Sequence, residues 1–302
     1  MGSNFQSNHS RRQFLTLALA VATDNDYKPS GDRKGAEIIA PADAPSGAAV
    51  LMTVNQRRIL SVHAPGIARR LLLPPGSTLK PLSLLALIEA GKLGPADNYV
   101  CPRKLIIDGR LLTCSHPEGL PPMNLSRAIA YSCNCAVAHF AQRFAPGELA
   151  STLSRAGLCS ATGFLSGDEA TGEILAGLTG TRCQLQALGE TGVEVTPLEL
   201  LSAYRQLAHR VSEPLMAPVL EGLEGAVQFG TAQLARLQQI PVAGKTGSTF
   251  TGAGAHAAWF AGFAPSRAPE VAIVAVVQGR SGGADAAPIA GKLLHDYFGA
   301  RA

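Results

Sequence analysis

The distribution of β-type segments along the chain is the feature that most limits its fold. Two short apolar segments near the N-terminus, GAAVLMTV (47–54) and RRILSV (57–62), are separated by a tight turn, and three more stand close to the C-terminus. Strands at both ends of a chain are expected to share one sheet, which leaves the residues between them as an insertion. The sequence therefore predicts an α/β (α+β) fold. A mainly antiparallel sheet (46–76 and 241–302) is flanked by helices and carries an inserted all-α subdomain (77–240).

Apolar residues recur in the insertion at a spacing near 3.6, which predicts helices. A first helix is expected from Ser77 to a glycine, and the segment 124–144 predicts a helix that breaks near Ser132. Further helices are predicted at 148–158, 196–209 and 231–239, with a last one at 284–298.

The composition is that of a globular protein. With 302 residues, 46% hydrophobic and 16% charged, the chain can bury a sizeable core. The net charge is +4, but the arginines stand in scattered pairs and aromatic residues make up 5%. A nucleic-acid-binding surface would show a basic stripe interleaved with aromatic residues. The composition therefore predicts no nucleic-acid partner.

The N-terminal residues predict an export signal. Arg11 and Arg12 precede a short apolar run (14–22) that ends in Ala-Val-Ala, and paired arginines before such a run resemble a twin-arginine signal. A membrane-spanning helix would need about 20 apolar residues. We therefore expect residues 1–22 to be a cleaved signal and residues 23–45 a linker or N-terminal arm. The remainder is expected to be periplasmic or otherwise extracytoplasmic, and soluble after cleavage.

The cysteines are even in number, which permits disulfides in an exported protein. They are Cys101, Cys114, Cys133, Cys135, Cys159 and Cys183. Two apolar strands with an Asp-Gly turn lie between Cys101 and Cys114, so a hairpin would bring these sulfurs together and a disulfide is favoured there. A zinc site is disfavoured because Cys133 and Cys135 have one residue between them, and no second Cys/His pair stands at ligand spacing. The sequence therefore predicts no metal and no cofactor.

A serine and a lysine stand three residues apart in GSTLK (76–80), just before an apolar run. Ser77 is a favoured residue for an ordinary helix start. It also lies one helical turn before Lys80, on the same face, where a lysine can serve as its base. The pattern alone leaves both interpretations open.

Two further motifs carry residues suited to substrate binding. Lys245-Thr246-Gly247 falls on a predicted strand. There an ammonium and a hydroxyl attract a carboxylate, and a glycine lets a ligand backbone lie along the strand. A phosphate-binding loop is disfavoured because a strand, not a helix, follows. Ser132 and Asn134 stand two positions apart at the predicted helix break, and they would point the same way in extended backbone.

In their order and spacing, these three motifs form the set found in penicillin-binding proteins and serine β-lactamases. The chain resembles the transpeptidase domain of the penicillin-binding proteins over roughly residues 46–298, including the segments TPLELLSAYRQLA and AAWFAGFAP. The resemblance implies one transpeptidase-like domain at 46–302 with the β-lactamase/transpeptidase fold. It also implies a serine D,D-transpeptidase or D,D-carboxypeptidase.

The resemblance implies catalytic roles for three side chains. Lys80, kept neutral by burial and by the nearby cation of Lys245, would deprotonate Ser77 for attack on a peptide or β-lactam carbonyl. Ser132 would pass a proton to the leaving amine. The backbone N–H groups of Ser77 and Ser248 would form the oxyanion hole.

The remaining motif residues are expected to bind substrate. Asn134 would hydrogen-bond the amide side chain of the substrate, and Lys245 and Thr246 would hold its terminal carboxylate beside Gly247 and Ser248. The partners implied are the D-alanyl-D-alanine stem peptides of peptidoglycan, with β-lactams as inhibitors. A glycan polymerase partner is not evident from the sequence.

Two alternatives share the same nucleophile. A β-lactamase would need a base to hydrolyse the acyl-enzyme, and Glu169 lies at a suitable distance along the chain, although Glu173 stands where an Asn would be expected four residues on. A β-lactam or cell-wall sensor would be acylated without turnover. Such modules usually carry a membrane segment, which the sequence does not show.

Overall fold

A five-stranded antiparallel sheet is built from the two ends of the described chain. The computed structural model describes residues 47–252 and 255–300. The predicted signal (1–22) and arm (23–45) lie outside these residues. The strands are β1 (Gly47–Thr53), β2 (Ile59–His63), β3 (Lys104–Ile107), β4 (Arg110–Thr113), β5 (Glu173–Ile174), β6 (Val193–Glu194), β7 (Ala243–Gly252), β8 (Ala255–Ala264) and β9 (Val271–Gln278).

The main sheet has the strand order β2-β1-β9-β8-β7, and every neighbouring pair runs antiparallel. The N-terminal hairpin therefore pairs with the C-terminal strands through β1 and β9, as predicted. Strand β7 stands at one edge of this sheet. Its free edge borders the cleft that contains the predicted site residues.

The helices surround this sheet and fill the region between its two parts. They are α1 (Pro65–Arg70), α2 (Lys80–Glu89), α3 (Leu125–Ala130), α4 (Asn134–Ala141), α5 (Glu148–Arg155), α6 (Gly180–Ala187), α7 (Pro197–His209), α8 (Ala217–Gln228) and α9 (Ala287–Gly299). Within the described residues, no helix has the length and hydrophobicity needed to span a bilayer.

The sheet packs on both faces because apolar side chains alternate along its strands. On one face Met52 and Trp259 belong to the same core as Tyr204 of α7. On the other face Leu51 and Phe260 belong to a second core with Leu294 of α9. The α/β class with an antiparallel sheet between helical layers is thereby confirmed.

The inserted region differs from the prediction in three ways. It is not all-α, because it contains the hairpin β3–β4, which the strands between Cys101 and Cys114 predicted, and the ribbon β5–β6, which was not predicted. The helix predicted at 231–239 is wrong: only a three-residue 3-10 turn (Gln233–Ala235) forms there, and the helix lies earlier, in α8. Helix α6 was also missed. The predicted helix after Thr196 is confirmed, and a capping box between Thr196 and Glu199 sets its start.

Candidate active site

A cleft of about 270 Å³ lies beside the free edge of β7. Polar side chains and small residues dominate its walls: Ser77, Thr113, Ser115, Ser132, Asn134, Glu190, Thr231, Thr246, Gly247, Ser248, Ser281 and Gly283. Six of the eight residues predicted from the sequence are in this lining. The other two, Lys80 and Lys245, are fully buried behind it. The fold therefore gathers the three motifs at one place.

Ser77 lies in a 3-10 turn (Gly76–Leu79) that leads directly into α2. The turn is fixed by its neighbours: Thr78 Oγ1 donates to the Pro75 carbonyl at 2.6 Å, and the buried Tyr204 hydroxyl donates to the Thr78 carbonyl at 2.8 Å. The backbone N–H of Lys80 donates to the Ser77 carbonyl. Ser77 is thus held at the cleft wall by hydrogen bonds to the backbone carbonyls of its turn, with Lys80 one turn further on.

Lys80 links the serine turn to the opposite wall of the cleft. Its Nζ donates to the Ser132 carbonyl at 2.8 Å and to Ser132 Oγ at 3.2 Å, and it also donates to Asn134 Oδ1. Burial lowers the pKa of Lys80 to about 8, while coulombic interactions with Cys133, Cys114 and other nearby groups oppose this shift. At pH 7 roughly one Lys80 amine in ten is then neutral and able to accept a proton.

The turn between α3 and α4 presents Ser132 and Asn134 to the cleft. Ser132 has a φ of 55°, a left-handed conformation that costs a non-glycine residue about 1 kcal/mol or more. Its N–H donates to the Ile129 carbonyl at 3.1 Å. Cys133 caps α4, with its sulfur accepting from the Ala136 N–H at 3.4 Å. The predicted helix break near Ser132 is confirmed, and the left-handed turn is its cause.

Lys245 and Thr246 of β7 form a polar cluster with Thr231. Lys245 Nζ donates to the Thr246 carbonyl at 3.0 Å and lies 3.5 Å from Thr231 Oγ1, and Thr246 Oγ1 lies 2.7 Å from the same Thr231 oxygen. Burial, and secondly the positive charge of Lys80, hold the pKa of Lys245 well below its usual range. Thr231 was missed by sequence reasoning because it follows a glycine outside any motif.

Gly247 has a packing role that the sequence did not suggest. A Cβ at this position would lie 2.6 Å from the Pro75 carbonyl oxygen and 3.3 Å from the Thr78 backbone nitrogen. The absent side chain therefore lets β7 approach the Ser77 turn, in addition to leaving the strand edge open for a ligand. Beside it, Ser248 Oγ accepts from the Gly282 N–H at 3.0 Å.

The acidic residue that lines the cleft is not the one expected from the sequence. Glu169, the candidate hydrolytic base, is absent from the cleft lining, and its carboxylate instead accepts from Thr162 and from the Gly163 N–H within its own loop. The carboxylate that does line the cleft is Glu190. Burial raises the pKa of Glu190, and the charges of Lys80 and Arg110 oppose that rise. No motif surrounds Glu190 in the sequence, so pattern reasoning missed it.

All six cysteines are free thiols, so the disulfide predicted between Cys101 and Cys114 is not formed. A third sulfur accounts for the difference. Cys133 Sγ lies 3.4 Å from Cys101 Sγ and 3.8 Å from Cys114 Sγ, and Cys135 Sγ lies 3.6 Å from Cys114 Sγ. The hairpin thus brings both its sulfurs to a larger cluster rather than to a simple pair.

A serine on a helical turn, a buried lysine one turn on, and a Lys-Thr-Gly edge strand are typical of serine enzymes that work through an acyl-enzyme with lysine as the base. Residues 19–295 match the family described as "Penicillin binding protein transpeptidase domain", and the chain belongs to this family.

Known relatives agree with this assignment. The chain is 25% identical over 264 residues to the peptidoglycan D,D-transpeptidase PbpA of Mycolicibacterium smegmatis, a match that covers 72% of this chain and 53% of the relative. The chain therefore spans about half the length of that relative.

Solved structures show the same fold. The transpeptidase domain of penicillin-binding protein 3 from Burkholderia pseudomallei has a TM-score of 0.76 at 21% identity, covering 85% of this chain and 88% of that structure. PBP2 of Pseudomonas aeruginosa has a TM-score of 0.74 at 20% identity, and the match covers 84% of this chain and 74% of that structure.

Proposed function

We propose that this protein is a serine D,D-transpeptidase or D,D-carboxypeptidase that cleaves D-alanyl-D-alanine stem peptides of peptidoglycan through an acyl-enzyme at Ser77. The observation that carries the proposal is the buried Lys80 amine, which lies one turn from Ser77 and contacts Ser132 across the cleft. Family membership and the PbpA relative support the same reaction class.

Acylation needs one base and one acid. Neutral Lys80 takes the proton of Ser77, whose oxygen attacks the carbonyl carbon of the penultimate D-alanine. The negative charge that develops on the carbonyl oxygen is stabilised by the backbone N–H groups of Ser77 and Ser248, each worth roughly 3 kcal/mol in comparable sites. The C–N bond then breaks. Ser132 gives its proton to the leaving amine and regains one from Lys80.

The substrate is held by its terminal carboxylate and by the strand edge. Buried Lys245 has no carboxylate among the contacts described above, so an incoming carboxylate would supply its counter-charge and restore its protonated form. Thr231 and Thr246 add hydroxyl donors. The free edge of β7 pairs with the extended peptide, as in other β-augmentation sites.

The second half-reaction transfers the acyl group from Ser77 to an acceptor. An acceptor amine gives a cross-link, whereas water gives a carboxypeptidase product. β-Lactams acylate Ser77 in the same way and act as inhibitors. Because the substrate belongs to the cell wall, we infer that the protein works outside the cytoplasm, with residues 1–22 as its export signal and without a cofactor.

The test is labelling of the purified chain with a fluorescent penicillin, together with an assay for D-alanine release from a D-alanyl-D-alanine peptide. We expect a long-lived label and peptide turnover, both lost in Ser77→Ala. Ser154→Ala, at an exposed position of α5, is the matched control and should behave as wild type.

Each other outcome points to a different protein. A label lost within seconds while penicillin is consumed would indicate a β-lactamase, and Glu190 rather than Glu169 would be the base to test. A stable label without peptide turnover would indicate a sensor. If the folded protein takes up no label, the proposed acyl-enzyme at Ser77 does not form.

A further inference from the structure

A cluster of sulfur and nitrogen atoms lies directly behind the Ser132 turn and takes no part in the steps above. One ligand atom from each of Cys101, Cys114, His116 and Cys133 lies within 4.8 Å of the others. Cys101 precedes β3, Cys114 and His116 follow β4, and Cys133 caps α4. We propose that these four side chains form a structural zinc site.

The spacing of the atoms suits a tetrahedral zinc ion. Sulfur ligands at about 2.3 Å from zinc lie roughly 3.8 Å from one another in a tetrahedron. The observed separations are 3.4 Å for Cys101 Sγ to Cys133 Sγ, 3.8 Å for Cys114 Sγ to Cys133 Sγ and 3.3 Å for Cys101 Sγ to His116 Nε2. These three separations match a tetrahedral ion to within a few tenths of an ångström, and the remaining pairs of ligand atoms lie within 4.8 Å. A disulfide needs about 2.05 Å.

The orientation of His116 also suits a ligand. Its Nδ1 lies 3.1 Å from the Pro117 carbonyl, which can only accept a hydrogen bond. Nδ1 therefore carries the proton, and the lone pair of Nε2 faces the sulfurs. Metal-bound histidines are commonly fixed by a hydrogen bond of this kind from the other ring nitrogen to a carbonyl.

Backbone N–H groups point at two of the sulfurs. The Arg103 N–H donates to Cys101 Sγ at 3.3 Å, and the Ala136 N–H donates to Cys133 Sγ at 3.4 Å. Such bonds favour the thiolate form that a metal requires. Binding would release the thiol protons to solvent, leaving three thiolates and one neutral imidazole around the ion.

The ligand set favours zinc in a structural role. Three thiolates and an imidazole are soft ligands that suit Zn²⁺, and four protein ligands leave no open position for substrate. Cys114, His116 and Cys133 are buried, while Cys101 and His116 also line a surface pocket through which an ion could enter. The site would tie the β3–β4 hairpin to the turn that carries Ser132, making Cys133 a positioning residue.

The metal content of the purified full-length chain tests this proposal. After production in zinc-containing medium and desalting without chelator, elemental analysis should give about one zinc per chain. Cys114→Ser and His116→Ala should each lose the zinc. Cys159→Ser, whose sulfur lies outside the cluster, is the matched control and should keep it.

A second measurement uses wild-type protein, since ligand variants can fail to fold. Chelator-stripped wild type titrated with Co²⁺ should show thiolate charge-transfer absorption and the visible bands of tetrahedral cobalt, which Zn²⁺ should remove. Zinc-free wild type without a cobalt spectrum would overturn the proposal, and thiol counting would then show whether the sulfurs are free or joined. Zinc retained in both ligand variants would equally overturn it, because the ion would lie elsewhere.

Discussion

Replacing Gly247 by alanine tests how closely β7 and the Ser77 turn are packed. The added Cβ would lie 2.6 Å from the Pro75 carbonyl oxygen, 3.1 Å from Thr78 Cγ2 and 3.3 Å from the Thr78 backbone nitrogen. The nearest of these atoms belongs to the backbone and cannot rotate away. Restoring an ordinary contact of 3.4 Å therefore requires a displacement of about 0.8 Å in the strand or in the turn.

The size of the effect follows from that displacement. Overpacking of this kind costs about 1–3 kcal/mol of unfolding free energy. A shift approaching 1 Å in a reacting group can lower a rate by about a hundredfold. Since Ser77 lies in the turn that is pushed, we expect Gly247→Ala to slow penicillin acylation by roughly ten- to a hundredfold.

The assay is the second-order rate constant of acylation by a fluorescent penicillin, with urea unfolding measured on the same samples. Gly66→Ala is the matched control, because a Cβ at Gly66 in α1 meets nothing within 4 Å. This control should keep the wild-type rate and lose no stability, since alanine is favoured over glycine in a helix. If Gly247→Ala acylates and unfolds like wild type, the two walls are not locked together and the packing argument fails.

Three further predictions concern single groups. Acylation should slow about tenfold per pH unit below about 8, since Lys80 must be unprotonated to act as base, and a rate flat from about pH 6 to 9 would exclude it. Tyr204→Phe removes the hydroxyl that donates to the buried Thr78 carbonyl, and it should lower the free energy of unfolding in urea by about 1–3 kcal/mol. An unchanged midpoint of urea unfolding would contradict this. Thr231→Val should raise KM for D-alanyl-D-alanine peptides more than it lowers kcat, because it removes the hydroxyl that contacts Thr246. Thr179→Val is the control. If the KM of Thr231→Val equals that of wild type, the prediction is wrong.

Sequence reasoning succeeded where the signal is local. The strands of the sheet alternate or cluster their apolar residues within a few positions, and each catalytic motif spans only a few residues. Helix α8, which was not predicted, contains Gly222 and Gly225, and glycine has a low helix propensity. In the structure both face α3, where a Cβ at Gly222 would lie 2.7 Å from Ile129 Cβ and one at Gly225 would lie 3.1 Å from Ala130 Cβ. Tertiary packing outweighs helix propensity there.

The sequence also did not predict residues that come together only in the folded chain. Thr231 and Glu190 reach the cleft from loops far from any motif in sequence. Neighbouring positions along the chain show no metal-ligand spacing, whereas Cys133 meets the hairpin sulfurs from 19 and 32 residues away. Such convergence depends on how α4 packs against β4, which the spacing of residues along the chain does not reveal.

The contact between Gly247 and the Ser77 turn fixes the distance between the two walls of the cleft. The proposed nucleophile and the proposed lysine-threonine anchor lie on two segments packed so closely that a Cβ at Gly247 would lie 2.6 Å from the Pro75 carbonyl oxygen. In the proposed reaction, this packing fixes the span between the scissile carbonyl and the terminal carboxylate of the substrate. If a substrate were one backbone atom longer or shorter, its carboxylate could still bind at Lys245 and Thr246, but its carbonyl would not lie opposite Ser77. For the proposed function, we expect main-chain packing to set the selectivity for that span, and substitutions of side chains around the cleft to change affinity without changing the length of substrate accepted.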